Sequence, residues 1–120
     1  MTKCQSVWIV DDDARLADTF AIASRRLGFD VRTARNGMHG YSSYFCDPTD
    51  WGVTDIERAQ LDGIEMMRCI RAVDPTVKTI YMSAAAEKYA PGLNTEAREF
   101  AAKVLRKPFA WKYWIEQISG

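Results

Sequence analysis

Little in this chain supports the commoner kinds of catalysis. It has a single histidine, His39, so a Ser-His or Cys-His nucleophilic pair has almost nothing to draw on. Its three cysteines, Cys4, Cys46 and Cys69, are odd in number and far apart, which argues against a disulfide framework or a zinc site and fits a reduced, cytoplasmic setting. Neither sign of charge is in excess. Sixteen Lys and Arg balance sixteen Asp and Glu, which leaves no ground for a basic nucleic-acid-binding surface. No apolar run approaches the roughly 20 residues that cross a bilayer, and the first residues lack a signal-peptide pattern, so no membrane association is expected. Linkers, repeats and low-complexity tracts are missing as well. The remainder, 120 residues with 48% hydrophobic and 27% charged content, is the make-up of one domain over residues 1–120 with a real core.

What is present is a set of polar residues, each placed just after an apolar run. Asp11, Asp12 and Asp13 follow Val7–Val10, Asp55 follows residues 51–54, Ser83 follows Ile80-Tyr81-Met82, and Lys107 follows Val104-Leu105. Val7–Val10 is a short continuous apolar run, as in a strand buried on both faces. Leu16, Phe20, Ala23 and Leu27 recur at helical spacing, and Gly28 sits where a left-handed stop is wanted. Residues 29–34 read as a second strand ending in an Asn36-Gly37 turn, 38–45 as a weak helix, and 52–54 as a third strand. Ile64, Met67 and Ile70 mark a helix closing near Asp74-Pro75. A fourth strand over 77–82, a fourth helix near 94–102, a fifth strand over 102–105 and a last helix through Trp111, Trp114, Ile115 and Ile118 complete five βα units. Such alternation predicts an α/β, doubly wound, flavodoxin-like (βα)5 domain, its five-stranded parallel sheet covered by helices on both faces. Ligands of such folds gather at the carboxyl ends of the strands, where the polar residues lie.

Val10-Asp11-Asp12-Asp13, Asp55-Ile56 with Asp62-Gly63 downstream, Met82-Ser83-Ala84 and Lys107-Pro108-Phe109 together resemble the receiver domain of bacterial two-component response regulators. The resemblance covers essentially the whole chain. It implies a phosphoacceptor switch rather than an enzyme of metabolic turnover: Asp55 would take a phosphoryl group from a phosphohistidine of a sensor kinase or phosphotransfer protein. It further implies Mg2+ held by Asp12, Asp55 and the Glu57 backbone carbonyl, with Asp11 assisting indirectly. Lys107 would pair with phosphoryl oxygens and the Ser83 hydroxyl would bond to them. The chemistry suits these residue types, because a carboxylate meeting an anionic donor needs its repulsion offset by a hard, oxygen-loving cation.

Each residue also has a plainer reading. The aspartates could cap the first helix, Asp13 above all; Asp55 could be a turn residue, Ser83 a cap and Lys107 a solvated charge. Chance would then have to place all of them at strand ends. Three other functions compete with the switch. A phosphatase with Asp55 as nucleophile would need a general acid, and the position two residues on is Glu57 where an aspartate would be wanted. A phosphorylation-independent interaction module is the main alternative, and a flavodoxin-type cofactor role lacks its phosphate loop.

Departures from the receiver pattern concern output. Val104 replaces the usual aromatic three residues before the lysine, and valine has no ring to swing, so the readout is expected to be weakened or rerouted. Ala59 replaces a usual proline, and the Ser83–Lys107 interval, with Pro91-Gly92 inside it, predicts an altered start to the fourth helix. Glu57 and Ala85 flank the expected path of a hydrolytic water. Trp111, Tyr113 and Trp114 suggest a homodimer or partner surface on the face of the fourth helix, fifth strand and last helix, and a longer regulator carrying an output domain is an open expectation.

Overall fold

The computed structural model describes residues 5–57 and 62–107, together with Tyr113 and Glu116. Its elements are β1 (Ser6–Val10), α1 (Ala14–Arg26), β2 (Asp30–Ala34), α2 (Gly37–Cys46), β3 (Trp51–Asp55), α3 (Gly63–Val73), β4 (Lys78–Ser83), a single 3-10 turn (Ala86–Tyr89), α4 (Ala90–Phe100) and β5 (Lys103–Arg106). All strand pairs are parallel, in the order β2-β1-β3-β4-β5. The chain therefore reverses direction across the sheet after β2, and the crevice of a doubly wound fold opens there, between the ends of β1 and β3.

Alternation along the strands builds two cores. Val7, Ile9, Val53, Ile80, Met82 and Leu105 face one way, onto Ala17, Phe20 and Ala21 of α1. Trp8, Val10 and Tyr81 face the other, onto Tyr44 of α2, Met66, Met67 and Ile70 of α3, and Leu93 of α4. Every residue of β3 is buried, as expected of a parallel strand covered on both sides.

Local signals in the sequence end these helices. Asp13 caps α1, its side chain accepting from the N–H groups of Arg15 and Leu16, and Gly28 adopts φ +94 just beyond the helix, a conformation open to glycine at no steric cost. The structure corrects three expectations. Leu27 is the C-cap of α1 and is exposed; the buried face of the helix runs through Ala17, Phe20, Ala21 and Ser24 instead. Asn36-Gly37 is no turn: Asn36 is the N-cap of α2, its side chain accepting from the His39 N–H. The fourth helix begins at Ala90, with Pro91 in its first turn where no N–H is missed, and the 3-10 turn precedes it. An altered start was expected; its position was not. The Pro108-Phe109 dipeptide, Ala59, and the residues expected to anchor the last helix (Trp111, Trp114, Ile115 and Ile118) lie outside the described residues, as does Cys4. Cys46 and Cys69 are free thiols.

Candidate functional site

Register explains why the polar residues meet. Val10 pairs with Thr54, Asp55 with Met82, and Ser83 with Arg106, so the residues at and just past the strand ends lie side by side along one edge. Asp11, Asp12 and Asp55 each bring a carboxylate oxygen to within 4.8 Å of the others. Lys107 Nζ bonds Asp11 Oδ2 at 3.1 Å and lies 3.6 Å from Asp55 Oδ2. The Lys107 backbone N–H donates to the Ser83 carbonyl at 2.8 Å, which fixes where that side chain starts.

Burial differs among these groups, and it assigns them different parts. Asp11 is almost wholly buried, bonded to Lys107 and accepting from the Asp13 N–H at 2.9 Å, whereas Asp12 is exposed. Asp55 is buried at the end of β3. Burial pushes its carboxyl above the usual carboxylate range, and Asp11 and Asp12 add to the rise; Lys107 and the Glu57 backbone N–H pull against it without cancelling it. For Lys107, burial by itself disfavours the ammonium, but Asp11 and Asp55 outweigh it and hold the pKa above its ordinary value. The edge is thus crowded with negative charge that one lysine only partly offsets.

Gly63 is part of the same construction. A Cβ there would lie 2.5 Å from the Asp55 carbonyl oxygen and 3.1 Å from the Ile56 Cα, and the Gly63 N–H donates to the Ile56 carbonyl. Only a residue without a side chain lets α3 start so close to the end of β3. Asp62 caps that helix by accepting from the Glu65 N–H, which gives the Asp62-Gly63 pair two distinct mechanical tasks.

Ser83 is buried with its Oγ bonded on both sides: it donates to Glu57 Oε1 at 2.7 Å and accepts from the Ala85 N–H at 3.0 Å. The family resemblance implies only the Glu57 backbone carbonyl near the cation and its carboxylate beside the water path; the bond to Ser83 crosses 26 residues and has no local signal. A second buried network was also missed. Glu96 of α4 is fully buried and is bonded by Arg71 of α3, at 2.9 Å through Nη1 and again through Nη2, and by the Tyr81 hydroxyl of β4. Tyr81 is the register partner of the half-buried Val104. A signal did exist, since Glu96 falls three residues after Leu93 on the apolar face of α4.

The comparisons agree with this geometry. Residues 7–118 match the family model of the response regulator receiver domain. The response regulator receiver protein CpdR of Brucella abortus is 28% identical over 93% of this chain and 92% of its own length. The transcriptional regulatory protein CseB of Streptomyces coelicolor is 33% identical over 93% of this chain, which spans 47% of that longer protein. In fold, the Thermotoga maritima response regulator TrrA, solved with Mg2+ and BeF, superposes with a TM-score of 0.81 at 23% identity, covering 96% of each chain. With the carboxylate cluster, the lysine and the buried serine all at the carboxyl edge of a β2-β1-β3-β4-β5 sheet, this chain belongs to the receiver domain family of two-component response regulators.

Proposed function

We propose that Asp55 is the phosphoacceptor of a single receiver unit over residues 1–120, charged by a phosphohistidine of a histidine kinase or phosphotransfer protein. The observation that carries this is the position of Asp55, with two further carboxylates within 4.8 Å and an ammonium at 3.6 Å. An Asp55 carboxylate oxygen bonds to phosphorus while the P–N bond breaks and its electron pair returns to the donor imidazole. Lys107 has three donors and, among the described residues, hydrogen-bonds Asp11 Oδ2 and lies 3.6 Å from Asp55, so it can take up phosphoryl oxygens on Asp55 while it keeps Asp11.

The donor set suits Mg2+, which takes oxygen ligands and is satisfied by one or two carboxylates and its own waters. Asp12 and Asp55, with the Glu57 backbone carbonyl, would hold it, and Asp11, already tied to Lys107, would assist indirectly. When bound, the cation offsets the repulsion between carboxylate and phosphoryl oxygens. The role is that of a switch, whose change of nearly two charges alters protein contacts in a cytoplasmic signalling chain, with an output domain or effector as the next partner. In the described residues no helix is long and apolar enough to cross a membrane, in keeping with that setting.

Intact mass after treatment with acetyl phosphate and Mg2+ tests this. One alkali-labile phosphoryl adduct is expected, lost in Asp55→Asn and without the cation. An adduct that survives in Asp55→Asn, or none at all in wild type, would count against the assignment, the latter in favour of a phosphorylation-independent interaction module.

A further inference from the structure

The Ser83 hydroxyl has one proton, and that proton is already committed. A hydroxyl supplies a single donor and two acceptor lone pairs. Here the donor goes to Glu57 Oε1 at 2.7 Å, and one lone pair takes the Ala85 N–H at 3.0 Å. A phosphoryl group on Asp55 presents acceptor oxygens, so Ser83 can bond to it only by giving up Glu57. Two anions then compete for the one proton of a buried hydroxyl.

The competitors differ in what they lose. Glu57 is exposed, so its carboxylate returns to water on release and no charge is left stranded. Lys107 meets no such conflict, for the reason given above. The cost of switching is therefore concentrated at Ser83.

We propose that the Glu57 side chain is a positioning residue, an internal competitor that holds the Ser83 hydroxyl in the resting state and must be displaced when Asp55 is phosphorylated. The proposal rests on Asp55 being the phosphoacceptor. Removing the Glu57 carboxylate should therefore favour the phosphorylated arrangement.

Binding of beryllofluoride in the presence of Mg2+, titrated by 19F NMR, reads this without turnover. Wild type is compared with Glu57→Ala, Glu57→Gln, Ser83→Ala, the Glu57→Ala/Ser83→Ala double variant and Asp55→Asn. Glu57→Ala is expected to tighten binding about tenfold, the size of one charge-assisted hydrogen bond. Most of that gain should vanish in the Ser83→Ala background, and Glu57→Gln, which keeps an acceptor oxygen, should gain less than Glu57→Ala. Equal gains with Ala and Gln, or the same gain with and without Ser83, would show that the carboxylate acts through charge alone and overturn the competitor role. Absence of any tightening in Glu57→Ala overturns it as well. Wild-type binding that is undiminished in Asp55→Asn, or no wild-type binding at all, would instead overturn the phosphoacceptor assignment on which the proposal depends.

Discussion

Asp55 occupies surroundings that oppose its own charge. Burial raises its pKa, Asp11 and Asp12 raise it further, and Lys107 with the Glu57 N–H recovers only part. A carboxyl whose folded pKa lies above its unfolded value adds stability that is complete below the unfolded value and is lost as pH rises through the folded one. At neutral pH in metal-free buffer the ionised Asp55 is therefore a liability. Asp55→Asn should then unfold at higher urea than wild type at pH 7, and the two midpoints should converge as the pH falls below the ordinary aspartate range. A wild type as stable as the variant at pH 7 would contradict the electrostatic picture. The same residue scale gives the Ser83 and Glu57 pairing its weight, because one hydroxyl proton cannot serve two acceptors.

Between elements, the buried group most exposed to error is Glu96. It ties α4 to α3 through Arg71 and to β4 through Tyr81, and its Oε2 makes no hydrogen bond among the described residues, with Arg68 Nε 3.7 Å away. Arg71 is further held by the Phe100 ring, its guanidinium carbon 3.8 Å from the centroid. Burial and the hydrogen bond to Glu96 push the Tyr81 hydroxyl far above its ordinary pKa, so it remains a donor throughout the physiological range. Buried ion pairs are poor sources of net stability but costly to break on one side. Arg71→Ala should thus lose about 3–5 kcal/mol in denaturant unfolding. The joint replacement Arg71→Met, Glu96→Leu and Tyr81→Phe should lose far less, since no charge is then left alone. If the single and triple variants are equally damaged, the loss is one of packing and not of an unpaired charge. Val104 lies beside Tyr81 across the β4–β5 pair, and the Tyr81 hydroxyl joins this part of the sheet to α4 through the buried Glu96.

For the whole molecule, the division of labour is between two apolar layers that hold the sheet and one polar edge that strains it. Val7, Ile9, Val53, Ile80 and Met82 on one face and Trp8, Val10, Met67, Ile70 and Tyr81 on the other are buried. The acidic edge is the part a cation can relieve. Any ligand that binds only the folded state stabilises it by mass action, about 2.7 kcal/mol at one hundred times its dissociation constant. Mg2+ should accordingly shift the urea midpoint upward in a concentration-dependent way, and Asp12→Asn should remove most of that shift. An equal Mg2+ shift in Asp12→Asn would exclude this carboxylate as a ligand.

Local rules in the sequence determined most elements and several of their ends: the apolar run of β1, the Asp13 cap, the Gly28 stop, and the placing of Asp55 and Ser83 at strand ends and of Asp11, Asp12 and Lys107 just past them. They did so because capping, left-handed backbone and burial on both faces act over a few residues. The same rules misread Leu27, which is an exposed C-cap, and Asn36, which caps α2. Only the tertiary structure decided the strand order, hence which carboxylates touch, and it alone brought Glu57 to Ser83 and Arg71 and Tyr81 to Glu96. Those contacts join residues 15 to 26 positions apart on different elements. Their geometry depends on how the layers pack, which no short window of sequence contains.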